Sequence, residues 1–479
     1  MPSVALLTDL YELTMAYGYW RSGKAEDEAV FHLFFRENPF GGGYTVAAGL
    51  EAAIDYLDHL RFGDLDLDYL RTLTGSDGTR LFGDDFLDVL RRFELACDVD
   101  AIPEGTVVFP HEPLLRVRGP IMQAQLVESA LLNVINFQSL IATKASRVVY
   151  AARGDPVIDF GLRRAQGVDG AESASRAAYI GGCAGTSNVF AGSMYGIPVR
   201  GTHAHSWVMS FPSEREAFET WVRVMPNNSV LLVDTYKTLD GVQHAIDVAK
   251  KLRAEGRKLQ GIRLDSGDLA YLSIQARKLL DEAGFPKVTI TASNELDEHL
   301  ITSLKDQGAR IDVWGVGTRL ITAYDQPALG GVYKLTAIRP KGGAWQHKIK
   351  LSEQVVKIST PGMLQVRRFA VDGQTDGDMI WDELTGAATR TIVDPADMTR
   401  RKTFSDGGDD LLVPIYRGGK RVYHPPPLDE IRARREEQLA RFHAGIKRFE
   451  NPHSYPVGLE QTLFDLKTRL ILEARGFAA

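Results

Sequence analysis

Val230-Leu231-Leu232-Val233-Asp234, Leu259-Gln260-Gly261-Ile262-Arg263-Leu264-Asp265, Val288-Thr289-Ile290-Thr291 and Ile311-Asp312-Val313-Trp314 decide the fold. Each is a short apolar or β-branched run, the pattern of a strand buried on both faces. Between them lie helical patterns over Thr238–Ala254, Ala270–Ala283 and Glu295–Gln307. The runs recur about every 25–30 residues, which leaves room for a strand, a crossover helix and two short loops. Upstream, Val157–Phe160 is followed by a helical pattern over Ala171–Ile180, and Ile197–Arg200 by one over Glu214–Val224. Val332–Leu335 reads as a further strand. This alternation predicts a parallel sheet with right-handed crossovers. Six or seven such units favour a closed α/β barrel of parallel strands; an open doubly wound sheet is the alternative.

Outside this stretch the rhythm changes. Leu6, Leu10, Leu13 and Tyr17 recur at helical spacing over residues 1–20, with Thr8 and Asp9 as capping candidates. Phe31–Phe35 reads as a strand. Past residue 340, Lys357–Phe369 and Leu411–Tyr416 read as antiparallel strands, and Leu428–Phe449 as a charged amphipathic helix. None of these pieces extends a barrel. The expected organisation is therefore residues 1–120 as the first part of a second α/β (α+β) domain, 121–340 as the barrel, and 341–479 returning to the second domain with terminal helices.

Composition narrows the function. Hydrophobic residues make up 44% and charged residues 25% of 479, enough for a large packed core rather than a disordered chain. With 56 basic and 62 acidic residues the net charge is −6, which argues against a polybasic partner for nucleic acid or a membrane surface. Cys97 and Cys183 are too few for a disulfide framework or a cysteine zinc site. No apolar run reaches membrane-spanning length, and the first residues carry Asp9 and Glu12 without a basic leader pattern, so a cytoplasmic protein is expected.

The strand ends carry the chemistry. Val157–Phe160 leads into Gly161-Leu162-Arg163-Arg164, and Ile197–Arg200 into Gly201-Thr202-His203-Ala204-His205-Ser206. Val230–Val233 leads into Asp234-Thr235-Tyr236, Leu259–Leu264 into Asp265-Ser266-Gly267-Asp268, Val288–Thr291 into Ser293-Asn294, and Ile311–Trp314 into Gly315-Val316-Gly317-Thr318. In a parallel barrel the C-terminal strand ends converge on one rim. That rim would gather arginines suited to carboxylate or phosphate, a glycine-bearing turn with free N–H groups, and Asp234, Asp265 and Asp268 as candidates for Mg²⁺. The residues alone point to an enzyme that handles an anionic, phosphorylated substrate with Mg²⁺.

Each motif also has a plain structural reading. Asp-Ser-Gly after a strand is often a helix cap. Paired glycines are usually a turn. His203 and His205 are too close in sequence for a helical zinc pair, and Arg163-Arg164 suits a solvated face. His111, His244, His299, His347, His424, His443 and His453 are scattered and read as structural or surface residues. What favours chemistry is the shared rim. No P-loop, nucleophile elbow or His-Glu-x-x-His zinc motif is present.

Taken in order, Thr8-Asp9-Leu10-Tyr11-Glu12-Leu13-Thr14-Met15, Phe160–Gly167, Gly201–Ser206, Arg263–Asp268, Gly315–Thr318, Gly330–Leu335 and Lys350–Glu353 resemble the nicotinate phosphoribosyltransferases over nearly the whole chain. The resemblance implies a type II phosphoribosyltransferase fold, with an irregular barrel and a second domain built from both chain ends. It implies transfer of phosphoribosyl from phosphoribosyl pyrophosphate to nicotinate, giving nicotinate mononucleotide and pyrophosphate for NAD salvage. It further implies ATP hydrolysis coupled through a phosphohistidine, Mg²⁺, and a homodimer.

By the same resemblance the phosphohistidine falls on His205, with His203 at a variable position. Tyr11, Phe160, Thr202 and Arg263 fall on nicotinate positions, Tyr11 coming from the partner subunit. Arg163, Asp234, Asp265, Gly317 and Thr318 fall on phosphoribosyl pyrophosphate positions, with Asp265 near Mg²⁺. Ser187 falls where the sister nicotinamide enzymes carry an aspartate, so a carboxylate would not be repelled. Lys334 and Lys350 are candidates for pyrophosphate. Transfer to nicotinamide or quinolinate, and a non-catalytic protein that binds phosphorylated ligands, are the alternatives.

Overall fold

The computed structural model describes residues 3–354, 357–405 and 407–477. Two compact units are present, one formed by residues 141–327 and the other by residues 1–140 with 328–479. Among the described residues no helix is long and apolar enough to cross a membrane.

The central unit contains a six-stranded sheet in the order Gly185–Thr186, Val157–Asp159, Val313–Val316, Thr289–Asn294, Gly261–Leu264 and Val230–Leu232. All its pairings are parallel. The last strand in sequence, Val313–Val316, pairs with the first, Val157–Asp159, through Trp314 and Val157. Around the sheet the strands therefore follow chain order and return to their start, which is a barrel and excludes the doubly wound alternative. Leu231, Ile262, Leu264, Ile290, Ala292, Trp314 and Val316 are fully buried, which explains the unbroken apolar runs.

The barrel is irregular at one place. The expected strand Ile197–Arg200 is instead a single parallel bridge between Thr186 and Val199. Pro198 has no N–H to donate, and the bridge consists of Thr186 N donating to Pro198 O at 3.0 Å and Arg200 N donating to Thr186 O at 2.9 Å. Side chains complete the ring on the far side. Asn228 Nδ2 donates to Gly201 O at 3.0 Å, and Leu232 N donates to His203 Nε2 at 3.2 Å. Helices Val168–Ile180, Thr238–Ala254, Leu269–Glu282 and Glu298–Asp306 are the crossovers. Glu298, buried, pairs with Lys144 at 2.7 Å and Arg147 at 2.8 Å and so fastens the end of helix Glu128–Ala151.

The terminal unit is built on different pairing. A seven-stranded antiparallel sheet runs Gln346–His347, Val332–Arg339, Glu28–Phe34, Leu115–Pro120, Asp98–Ala101, Val413–Arg417 and Lys420–Arg421. Its register joins Glu28 to Arg339 and Val99 to Tyr416. A six-stranded sheet holds Leu364–Val371, Gln374–Asp382 and Val457–Glu460, the last two parallel. Leu364, Val366, Ile380, Leu459 and Leu463 form one of its cores. The expected strand Lys357–Phe369 begins only at Leu364, and the helix expected over Leu428–Phe449 stops at Arg441.

Candidate active site

His205 opens the helix His205–Met209 directly after the irregular closure. Its Nδ1 lies 3.2 Å from Thr235 Oγ1. Its Nε2 faces Asp265 Oδ2 at 3.7 Å and Asp234 Oδ1 at 4.0 Å. The Thr235 hydroxyl donates to Nδ1 when that nitrogen carries the lone pair, and the Nε2 edge faces the two carboxylates from beyond hydrogen-bond distance. The imidazole is 38% exposed, open enough for a substrate to reach.

Asp234 is buried just past the strand Val230–Leu232. Its Oδ2 accepts from Asp265 N at 2.8 Å and Ser266 Oγ at 2.7 Å, while its Oδ1 has no hydrogen-bond partner among the described residues. Asp265 follows the next strand; Ser293 Oγ donates to its Oδ1. A buried carboxylate oxygen without a donor is costly, and a hard cation would satisfy it. Among the described residues no group of three or more His, Cys, Asp or Glu could hold a metal. Asp234 Oδ1 and Asp265 Oδ2 nonetheless fit Mg²⁺, which commonly takes one or two carboxylates and completes its shell with water and phosphate oxygens.

Arg263 lies on the strand Gly261–Leu264; its Nη1 donates to Thr202 Oγ1 at 2.6 Å, and its Nε is buried without a partner among the described residues. Burial pulls the Arg263 guanidinium below its ordinary pKa, Asp265 and Asp234 oppose the shift, and Arg163 adds to it. Two arginines close enough to repel are a ready receptor for an anion. Phe160 presses on Gly315: a Cβ there would meet the ring at 2.6 Å, so glycine is required for the ring to lie against that strand. The N–H groups of Gly317 and Thr318 have no acceptor among the described residues, and Thr318 Oγ1 donates to Glu295 Oε1 at 3.2 Å. Ser187 N donates to Asp159 O at 2.8 Å, which holds Ser187 at the same end of the barrel.

His205, Asp234, Asp265, Arg263, Thr202, Phe160, Arg163, Gly317 and Thr318 thus all stand at the C-terminal ends of barrel strands. Tyr11 lies on the helix Leu10–Arg21 of the terminal unit, its pKa raised by burial and by Glu128 and Glu12. In that unit Lys334 is held below its ordinary pKa, first by burial and then by Lys350 and Arg36. The positioning roles of Thr235, Ser266, Ser293 and Glu295 were not assigned from sequence. Their signal is a hydroxyl or carboxylate one to three residues past a strand end, too common to select alone.

Three family models match the chain in order: the nicotinate phosphoribosyltransferase N-terminal domain over residues 6–136, the nicotinate phosphoribosyltransferase family over 156–359, and its C-terminal domain over 365–467. The nicotinate phosphoribosyltransferase of Bacillus subtilis (strain 168) is 44% identical over 480 aligned residues, covering 99% of this chain and 96% of the relative. The chain belongs to the nicotinate phosphoribosyltransferase family. The crystal structure of human nicotinic acid phosphoribosyltransferase superposes with a TM-score of 0.83 at 31% identity, covering 97% of this chain and 99% of that one. A nicotinate-nucleotide pyrophosphorylase from Pyrococcus furiosus shares the fold, with a TM-score of 0.69 at 23% identity over 91% of this chain and 96% of that one.

Proposed function

We propose that this chain transfers the phosphoribosyl group of phosphoribosyl pyrophosphate to nicotinate, yielding nicotinate mononucleotide and pyrophosphate, and that ATP hydrolysis drives the reaction through phosphorylation of His205. The observation that carries the reading is the meeting of His205, Arg263, Asp234 and Asp265 at one rim in a chain of this family.

Nicotinate would set its carboxylate against Arg263 and Thr202, with Phe160 on one ring face and Tyr11 of the partner subunit on the other. Ser187 presents a hydroxyl rather than a carboxylate and so favours the acid over the amide. The pyridine nitrogen attacks C1 of the ribose as the bond to pyrophosphate breaks, and pyrophosphate departs with the electron pair. The nitrogen is already a nucleophile, so no general base is needed. The developing charge on the leaving group is stabilised by Arg163 and the N–H groups of Gly317 and Thr318. When bound at Asp234 and Asp265, Mg²⁺ would neutralise phosphate charge.

In the coupling step the Nδ1 lone pair of His205 attacks the terminal phosphorus of ATP, the bond to ADP breaks with its electron pair leaving on ADP, the nearby Asp265 and Asp234 offset the cationic ring, and water later takes the phosphoryl group from the imidazole as phosphate. We read the enzyme as a homodimer acting in the cytoplasm, without a nucleic-acid or membrane partner. Product analysis with nicotinate, phosphoribosyl pyrophosphate and Mg²⁺, with and without ATP, tests the reading. Nicotinate mononucleotide should form in both cases, with ATP consumed stoichiometrically when present. His205→Asn should keep weak transfer and lose ATP consumption; normal stoichiometry in that variant would overturn the role of His205.

A further inference from the structure

The terminal unit encloses a cavity of about 670 Å³ that lines none of the residues assigned above. This volume lies within the range of sites that hold a small organic ligand. Its walls are mostly apolar, and Phe109 and Tyr455, stacked on each other with centroids 4.1 Å apart at 19°, are among the side chains that line it. Lys467, from the helix Gln461–Ala474, reaches the cavity and donates to Thr360 Oγ1 at 3.1 Å. It forms no ion pair among the described residues.

His111 lines the same space from a backbone with φ of 70°, in the left-handed region that few non-glycine residues occupy. Its N–H is bound to Phe35 O at 2.8 Å, while neither ring nitrogen has a partner among the described residues. Burial, with Lys467 and Arg36 nearby, lowers His111 to about 4, so the ring is neutral at neutral pH. Asp394 also lines the cavity, but its Oδ1 is engaged by Ala396 N at 2.8 Å. Asp397 N also reaches Asp394 Oδ1, at 3.4 Å, and Lys467 is the lining cation without an ion pair among the described residues. Burial holds Lys467 down to about 8, a cost that a bound anion would relieve.

We propose that this cavity binds a small organic monoanion, a carboxylate on a flat apolar body, with the carboxylate on Lys467 and His111 and the body against Phe109 and Tyr455. A phosphate would bring more charge than the site balances and would leave the apolar walls unused. The inference does not depend on the catalytic reading.

Calorimetric titration of the full-length protein tests it, with benzoate as the probe. Arg263→Ala is the background, so that the rim cannot supply the binding. Benzoate should bind this variant, benzamide and inorganic phosphate at least about tenfold more weakly. Adding Lys467→Met should weaken benzoate at least about tenfold, and Ile471→Trp, which fills the cavity, should do the same. Thermal melts of each variant identify any that fail to fold. The proposal is overturned if benzoate does not bind the Arg263→Ala protein, if both cavity variants bind it unchanged, or if benzamide or phosphate binds as well as benzoate.

Discussion

The barrel rim has two sides that use the same residue in opposite ways. On one side Asp159 ends the strand Val157–Asp159, is fully buried, and is saturated: Gly161 N at 2.8 Å, Ser175 Oγ at 2.8 Å and Thr186 Oγ1 at 2.7 Å all donate to it. Burial raises its pKa and these three donors oppose the rise. On the other side Asp234 also has a fully buried side chain but keeps Oδ1 without a donor among the described residues, with His205 and Asp265 nearby. The closed side stores its charge in structure, whereas the open side leaves an acceptor for something the chain does not supply.

Removing the cation from the open side is the harshest way to break this contrast. Arg263→Ala should lower kcat/KM for nicotinate by about a thousandfold, about 4 kcal/mol in the transition state. Its melting temperature should stay close to that of the parent. Steady-state kinetics with a thermal melt decides it, and a large loss of stability would make Arg263 structural. The closed side should behave in reverse. Asp159→Ala strands three buried donors and should cost about 3 kcal/mol of folding free energy, read by urea denaturation. A variant that folds normally would show the network to be dispensable.

His203 offers a pH-dependent test beside the open side. Burial lowers it to about 4, and Arg263 and His205 add to the shift. Below its ordinary pKa the unfolded chain takes up a proton that the native imidazole, accepting from Leu232 N, does not. Stability should therefore fall as pH drops from the ordinary histidine range towards 4, by roughly 2 kcal/mol between neutral pH and pH 5. His203→Asn should flatten that slope in denaturation curves taken across the range; an unchanged slope assigns it to other groups. The smallest effect concerns Thr235. Thr235→Val keeps the shape but removes the donor to Nδ1, and should reduce ATP-coupled turnover about tenfold and move its pH profile. A profile identical to the parent's would mean that the hydroxyl does not set the tautomer.

The barrel was legible because its information is local. Val230–Val233, Leu259–Leu264 and Val288–Thr291 are each a buried strand followed by its own crossover helix, and neighbours in sequence are neighbours in the ring. The segment Ile197–Arg200 misled because an apolar run says nothing of whether both its edges find partners; here Asn228 and His203 close the gap with side chains. The terminal unit was legible only as pieces. Its sheet joins Val30 to Ala337 and Ala101 to Val413, pairings whose register no short-range pattern encodes. The Lys467 cavity belongs to the same unit and was invisible for the same reason, since His111 and Lys467 lie on segments far apart in the chain.

By itself the amino-acid order determined the alternation of strands and helices, the polar strand ends and the motifs that mark the family, because each depends on residues within one turn or one crossover of each other. Val157-Ile158-Asp159 and Leu232-Val233-Asp234 look alike in that order. Which aspartate is saturated and which keeps a free oxygen was decided only by the tertiary structure. Hydrogen-bond satisfaction is a property of what surrounds a group in space, and two of the three donors that close Asp159, Ser175 and Thr186, come from distant parts of the chain, as do the groups around Asp234.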